Sequence, residues 1–151
     1  MYLSILDAPF GMLSILADET AVISVSTKNP DKEVAENEIT RQCALELSEY
    51  LAGTRTVFDV PLSPKGTDFQ RAVWQKLLTI PYGETRSYQE IADMLGRHSA
   101  VRAVGSAIGK NPVWILVPCH RVIGKNGGLA GYAGGLAMKK ALLELERMHQ
   151  R

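Results

Sequence analysis

Cysteine and histidine are scarce in this chain of 151 residues, which contains two cysteines and three histidines. Cys43 and Cys119 lie far apart in different contexts, so they predict neither a disulfide framework nor a cysteine-rich zinc cluster. The histidines, His98, His120 and His149, lack the spacing of metal ligands. We therefore expect no metal site.

Long apolar runs are also missing. No stretch is long or apolar enough to span a bilayer, although 46% of the residues are hydrophobic, which is ordinary for a globular protein. The first residues, MYLSILDAPFG, have neither a basic region nor a small-residue cleavage site, so we expect no secretory signal. These features predict a cytoplasmic protein without a membrane partner.

The net charge of +1 hides an asymmetry along the chain. Residues 1–59 carry 4 basic and 10 acidic side chains, whereas residues 60–151 carry 13 basic and 6 acidic ones. A basic part on a nearly neutral chain favours an anionic partner, and nucleic acid leads that list. A solvated surface with local ion pairs explains the charge equally well.

The first half reads as a small antiparallel sheet followed by a helix. Residues 2–6 and 12–16 predict a hairpin, and residues 21–27 predict a third strand. Residues 33–51 carry apolar side chains near helical spacing, and Cys43 falls on that stripe, so we expect it in the core.

A linker candidate, residues 62–66 (LSPKG), coincides with the change in charge and follows a short extended segment at 57–60. We therefore predict a structural α/β domain over residues 1–62. A second domain is predicted over residues 63–151. The expected fold class is α+β, with a small N-terminal antiparallel sheet and helix before a mainly helical domain.

Three helices are predicted early in the second half. The first spans residues 68–78 after Thr67 or Asp68 as N-cap. The capping box at 87–90 opens the second, and the third runs from about residue 99 to 109. The last two have helix-turn-helix spacing, which ordinary helical hairpins share.

The third of these helices consists largely of Ala, Gly and Ser, with Arg102 as its one long side chain. Glycine inside a helix costs about 1 kcal/mol relative to alanine. We therefore expect a close neighbour there. A packed helix and a narrow nucleic-acid groove are the two candidates.

The most informative motif is VPCHRV at residues 117–122, where Cys119 stands beside His120 and Arg121. It follows an apolar segment, residues 113–117, that reads as a buried strand or extended run. The thiolate is the reactive form of cysteine, and imidazole or positive charge raises its fraction. Because neighbours on a strand point to opposite faces, the histidine would act through a turn or a water. A buried structural cysteine is the alternative.

A glycine-rich segment and a helix end the chain. Residues 124–135 match neither common phosphate-binding loop and read as a flexible pocket wall, with Tyr132 as its one large side chain. Residues 136–148 predict an amphipathic helix. Its inward residues are expected to be Met138, Ala141, Leu142, Leu145 and Met148. Glu144 and Glu146 lie on the flanks, and periodicity does not choose between them.

Together these motifs resemble the O6-alkylguanine-DNA alkyltransferases, or methylated-DNA–protein-cysteine methyltransferases. The similarity covers roughly residues 65–146, through NP at 111–112, PCHRV at 118–122, GYAGG at 131–135, PYGE at 81–84, SY at 87–88 and RAVG at 102–105. It implies a single-turnover DNA-repair enzyme that needs no cofactor. Its partner would be double-stranded DNA containing O6-alkylguanine, with O4-alkylthymine open as a second lesion, and the protein would be a monomer.

The resemblance also implies the catalytic roles. Cys119 would accept the alkyl group irreversibly in one displacement, with His120 as general base through a water. Glu146 would orient that histidine, and it is preferred to Glu144 on the family's spacing. Asn111 would brace the active-site turn.

For DNA binding, the resemblance implies a helix-turn-helix that approaches the minor groove and flips the damaged guanine out of the stack. Arg102 would take the place of the flipped base. Tyr88 would crowd the neighbouring phosphate and donate to the guanine ring, which makes it a catalytic candidate too. Further DNA contacts are expected from Ala103, Gly105 and Ser106.

The guanine pocket follows from the same resemblance. The Val122 carbonyl and backbone groups near Ala133 would read the guanine edge, and Tyr132 would form a wall. Arg121 is expected in a structural ion pair. Trp114 and Ala133 depart from the family's usual residues. We expect Trp114 in an interdomain core or at the pocket floor, and Ala133 removes one side-chain donor to the guanine oxygen.

Three other functions stay open. An alkyltransferase-like protein would bind alkylated DNA without repairing it, but there another residue replaces the cysteine. A cysteine hydrolase needs an oxyanion hole, and no residues identify one. A DNA-binding regulator would explain the helices and the charge but not residues 118–121, and its recognition helix would carry more base-reading side chains than Arg102.

Overall fold

The computed structural model describes residues 1–31, 33–125, 127–128 and 131–150. The chain divides into two compact units. One contains Met1–Lys65 and Pro112–Trp114, and the other contains Gly66–Asn111 and Ile115–Arg151. A single boundary along the chain, such as the one predicted after residue 62, cannot place residues 112–114 in the first unit, because they come much later in the sequence. Within the described ranges, no helix is both long and apolar enough to cross a membrane.

The first unit is built on a three-stranded antiparallel sheet of β1 (Tyr2–Ala8), β2 (Gly11–Ala17) and β3 (Val22–Ser26). β1 and β2 pair along their whole length, and a two-residue turn joins them. Gly11 after this turn has φ of +123°, a conformation that suits glycine. The predicted three strands are confirmed, and Leu13 and other alternating residues of β2 face the core.

Helix α1 (Glu38–Leu51) begins later than the sequence predicts. Asn37 caps it: its side chain accepts the Thr40 N–H at 2.9 Å, and the Thr40 hydroxyl accepts the Asn37 N–H at 3.0 Å. Val34, inside the predicted helix, is 58% exposed, and Ala35 pairs with β1 instead. The prediction of a helix from residue 33 is wrong because this reciprocal cap starts the helix after Asn37.

The second unit contains α2 (Asp68–Leu77), α3 (Tyr88–Met94) and α4 (Val101–Gly109). Thr67, one of the two N-cap candidates, caps α2, and Ser87 caps α3 as predicted; both form reciprocal hydrogen bonds with the third residue of their helix. α4 packs against both other helices. Residues 95–100, which include a 3-10 turn at His98–Ala100, join α3 to α4, so these two helices form the predicted helix-turn-helix arrangement.

Residues 113–117 do not form the predicted strand or extended run. Val25 in β3 donates its N–H to the Pro112 carbonyl and accepts the Trp114 N–H, both at 2.9 Å. Ile115 directly follows with φ of +74°. The prediction is wrong because the backbone turns at Ile115, and a left-handed conformation is rare for a β-branched residue and gives no sequence signal.

Helix α5 (Leu136–Met148) has the predicted bounds, and two of its five predicted inward residues, Met138 and Leu142, are buried. Its buried residues are Met138, Lys139, Leu142 and Glu146. Met148 is 74% exposed, and Ala141 also faces solvent. The predicted inward positions of Ala141 and Met148 are wrong because the helix instead turns Lys139 and Glu146 toward hydrogen-bond partners inside the unit.

Candidate active site

Cys119 lies in a single 3-10 turn, Cys119–Arg121, that follows Pro118. The Arg121 N–H donates to the Pro118 carbonyl at 3.0 Å and closes the turn. Successive side chains in a 3-10 turn point about 120° apart. His120 and Arg121 nevertheless both hydrogen-bond Glu146, whereas the Cys119 sulphur accepts from Asn111. All three residues of the turn are buried.

A pair of short strands brings the start of α3 to this turn. β4 (Arg86–Ser87) pairs in parallel with β5 (Val122–Ile123), which directly follows the turn. Tyr88 is the next residue after β4 and the first of α3. Its pKa is raised first by burial and then by the charge of Cys119. The structure thus brings the predicted Tyr88 to the Cys119 site.

Asn111 ties the end of α4 to the cysteine. Its side-chain amide donates to the Val117 carbonyl at 3.0 Å and to the Cys119 Sγ at 3.3 Å. Both contacts are buried, and Asn111 is only 3% exposed. One amide group therefore holds the backbone just before the turn and also supplies a donor to the sulphur.

Glu146 on α5 gathers the groups on the other side of the turn. Its Oε2 accepts from His120 Nε2 at 2.7 Å and from Arg121 Nη2 at 3.0 Å. Its Oε1 accepts from Arg121 Nε at 2.9 Å and from the Gly83 N–H at 3.1 Å. Arg121 also donates from Nη1 to the Ile80 carbonyl at 2.8 Å. This is the structural ion pair expected for Arg121.

The titration of this cluster leaves a charged glutamate beside a neutral histidine. Burial raises the pKa of Glu146, but hydrogen bonds from His120 and Arg121 outweigh it and hold the pKa at about 2. Burial lowers the pKa of His120, and the Glu146 carboxylate offsets this only in part. Because a carboxylate only accepts, the imidazole donates from Nε2 and its basic nitrogen is Nδ1. Glu144 is exposed, so the structure separates the two glutamates.

The two cysteines differ in what opposes their burial. Burial raises the pKa of Cys119 to about 11, while the Asn111 donor and the charge of Lys139 act to lower it. Burial raises the pKa of Cys43 to about 12, and the charge of Glu46 adds to the rise. Cys43 is fully buried in the core, as predicted, and only Cys119 is set among groups that favour a thiolate.

Lys139 is a candidate that the sequence reasoning missed. Its side chain is fully buried, and its Nζ donates to the Val122 carbonyl at 2.6 Å. Hydrophobic periodicity gives no signal for it, because the group that compensates its burial, the Val122 carbonyl, lies outside the helix.

The predicted DNA-contacting residues lie on the outer side of α4. Val104 and Ile108 are buried, whereas Arg102, Ala103 and Ser106 are exposed. Gly105 is half-buried beside Tyr88. A Cβ added at Gly105 would lie 3.7 Å from the Tyr88 ring, an ordinary packing distance.

The predicted pocket residues are divided between the two units. Val122 is fully buried, and Tyr132 is half-buried with its pKa raised by burial and by the charge of Cys119. Ala133 is exposed. Trp114 belongs to the first unit, where it lines a groove of about 440 Å³ with residues of β2 and β3. Three residues of the predicted glycine-rich wall, at 126, 129 and 130, lie outside the described residues.

The structure was also compared with the requirements of a metal site. In the described part of the chain, no group of three or more His, Cys, Asp or Glu side chains could hold a metal ion.

Comparison with known families matches both halves of the chain. Residues 1–64 match the family model of the 6-O-methylguanine DNA methyltransferase, ribonuclease-like domain. Residues 68–148 match that of the 6-O-methylguanine DNA methyltransferase, DNA binding domain. Together these matches span nearly the whole chain.

Individual relatives agree. The methylated-DNA--protein-cysteine methyltransferase of Methanosarcina acetivorans is 46% identical, with 97% of this chain and 98% of that protein covered. That of Mycobacterium leprae is 49% identical over 96% of this chain and 91% of the relative. The crystal structure of Mycobacterium tuberculosis OGT in complex with DNA is 45% identical, with a TM-score of 0.92 over 99% of this chain and 94% of that chain. The chain therefore belongs to the 6-O-methylguanine DNA methyltransferase family and is an enzyme of this class.

Proposed function

We propose that this chain repairs DNA by transferring the alkyl group of O6-alkylguanine to the Cys119 sulphur, once per molecule. The observation that carries the proposal is the setting of the thiol. The Asn111 amide lies 3.3 Å from Sγ, and the neighbouring His120 is neutral and anchored by Glu146 at 2.7 Å. A buried thiol becomes a nucleophile when a base and donors to the thiolate stand beside it.

The transfer balances as one displacement. A water between Cys119 and His120 Nδ1 carries the thiol proton to the imidazole, and Glu146 stabilises the imidazolium that forms. The sulphur then forms a bond to the alkyl carbon while the carbon–oxygen bond breaks, and its electron pair leaves with guanine. The imidazolium returns the proton to the departing guanine through the same water, which leaves His120 neutral again.

The product explains why one molecule would react once. Alkylated Cys119 is a thioether, whose carbon is not an acyl group that water could hydrolyse. The sulphur also lies in a site where the cysteine is only 4% exposed. The protein is therefore consumed in the reaction.

The surface of α4 supports DNA binding through this helix. An added Cβ would make only ordinary contacts at Gly105 and would meet nothing within 4 Å at Gly109. Packing within the described residues therefore does not require either glycine, although Gly105, inside the helix, costs it about 1 kcal/mol relative to alanine. Close approach of a nucleic-acid groove accounts for Gly105, and residues 60–151 carry the basic excess that such a partner needs.

The damaged base has to leave the stack to reach a buried sulphur. Arg102 is exposed on α4 and long enough to fill the space that the base leaves. Tyr88, half-buried beside the site, would press on the neighbouring phosphate and donate to the guanine ring. The Val122 carbonyl and the backbone near Ala133 would read the guanine edge. Action as a monomer, a cytoplasmic location and activity on O4-alkylthymine stay predictions.

Intact-protein mass spectrometry tests the proposal. The chain is incubated with a duplex containing one O6-methylguanine, beside Cys119→Ser and Cys43→Ser variants. We expect one methyl group per molecule on the parent chain and on Cys43→Ser, and none on Cys119→Ser. Binding to damaged DNA without a gain in mass would indicate a recognition protein, and neither binding preference nor gain in mass would favour the regulator alternative.

A further inference from the structure

The burial of Lys139 has a free-energy cost. Its side chain is fully buried in α5, and transfer of an ammonium group from water into a protein interior is costly unless other groups compensate it. An apolar side chain such as its neighbour Met138 fills a buried position without that cost. Packing alone therefore does not explain a charged residue at this position.

The contacts of Lys139 lead directly to the reacting turn. Nζ donates to the Val122 carbonyl at 2.6 Å, and Val122 is the first residue after Cys119–Arg121. A carbonyl oxygen has two lone pairs, so Val122 can accept this hydrogen bond and still accept one from a bound base. Lys139 thus fixes the direction of a carbonyl that is expected to read guanine.

The charge of Lys139 also acts on both proton-carrying groups of the site. It lowers the pKa of Cys119 and the pKa of His120. Burial lowers the pKa of Lys139, and the charge of Cys119 offsets this lowering only in part. The charge of Lys139 therefore favours the thiolate form of Cys119 and the neutral form of His120.

We propose that Lys139 is a positioning residue of the alkyl-transfer site, whose buried ammonium group orients the Val122 carbonyl and supplies the counter-charge of the Cys119 thiolate. This deepens the proposed function and rests on it for its meaning in repair. When the sulphur–carbon bond forms, the negative charge on sulphur disappears. The ammonium group then stays buried, although the negative charge on sulphur that it stabilised is gone.

Other groups face Cys119 and set the background for any pH measurement. Asn111 approaches from the end of α4, Tyr88 from α3 and Tyr132 from the loop before α5. His120 is next to it on the same turn. None of these four groups carries a positive charge while His120 is neutral, whereas Lys139 does.

The first test compares Lys139→Met with Lys140→Met. Lys140 is the next residue of α5 and is exposed, so both variants lose the same charge from the same helix. The rate of Cys119 alkylation by iodoacetamide is measured between pH 7 and 9 without DNA. Each tenfold loss of thiolate is offset by about half, on a logarithmic scale, through the greater nucleophilicity of a more basic sulphur.

We expect Lys139→Met to react about threefold or more slowly than Lys140→Met at every pH. Mere loosening of the site would expose the sulphur and raise the rate instead. Equal or faster reaction of a folded Lys139→Met variant would overturn the proposal.

A second measurement does not depend on that variant. The 13Cε resonance of Lys139 is titrated in the parent chain and in Cys119→Ser, where no thiolate can form. The proposal predicts a lower pKa for Lys139 in Cys119→Ser, and identical titrations would refute it. Neither experiment uses alkylated DNA, so failure here is distinct from failure of methyl transfer.

Discussion

Replacement of Glu146 by glutamine should destabilise the chain by an amount that the structure sets. The pKa of Glu146 falls from 4.5 to about 2 in the fold. Since a tenfold change in proton affinity is worth about 1.4 kcal/mol, the ionised carboxylate stabilises the fold by about 3 kcal/mol at neutral pH. Loss of one partner from a buried ion pair costs about 3–5 kcal/mol, which agrees. For a chain of this size, Tm should fall by roughly 6–12 °C.

The dependence on pH makes this prediction specific. A lowered pKa gives stability that is fully present above the unfolded pKa of 4.5 and is lost as the pH falls through about 2. The parent chain should lose this contribution over that range, whereas Glu146→Gln has none to lose. The stability gap between them should therefore close toward pH 2.

Urea unfolding followed by tryptophan fluorescence measures the gap. A Trp114→Phe background leaves Trp74, which is buried in the second unit, as the reporter. Glu144→Gln is the matched control, because Glu144 is exposed on the same helix. If Glu146→Gln and Glu144→Gln were equally stable at pH 7, or if the gap stayed constant down to pH 2, the reasoning would be refuted.

Three further predictions concern the reaction itself. Asn111→Ala should slow methyl transfer roughly tenfold or more in single-turnover kinetics, because a hydrogen bond to a charged group is worth about 1.5–3 kcal/mol. An unchanged rate would show that the Asn111 amide does not stabilise the thiolate. Arg102→Ala should slow transfer from duplex DNA but not from the free O6-methylguanine base, and equal slowing of both would argue against a role in DNA. Cys43→Ala should lower stability by about 1 kcal/mol and transfer methyl at the parent rate; slower transfer would contradict its assignment to the core.

Local signals in the sequence were sufficient where one element decides its own structure. The hairpin strands are short apolar runs separated by a turn signal. α2 and α3 begin directly after Thr67 and Ser87, because the residues of each reciprocal cap lie within four positions of one another. The Cys119 motif could be recognised in the sequence for a similar reason. Its residues are contiguous, and the arrangement of Pro118, Cys119 and His120 in one turn preserves their proximity.

Features that depend on distant contacts could not be predicted in this way. The turn at Ile115 follows hydrogen bonds between Trp114 and a strand far back in the chain. The buried face of α5 is decided by Arg121 and His120 for Glu146, and by a backbone carbonyl for Lys139. Hydrophobic periodicity counts only apolar residues, so it overlooks charges whose burial is compensated elsewhere.

The most direct test of the central claim follows the methyl group itself. A duplex containing O6-methylguanine with a 13C-labelled methyl group is mixed with one equivalent of the chain, and carbon NMR records where the label goes. We predict that the O-methyl signal is replaced by one S-methyl signal, correlated with the β protons of Cys119 and equal to the protein in amount. Release of labelled methanol would show hydrolysis, and an S-methyl signal in the Cys119→Ser variant would show another acceptor; either result would contradict the account.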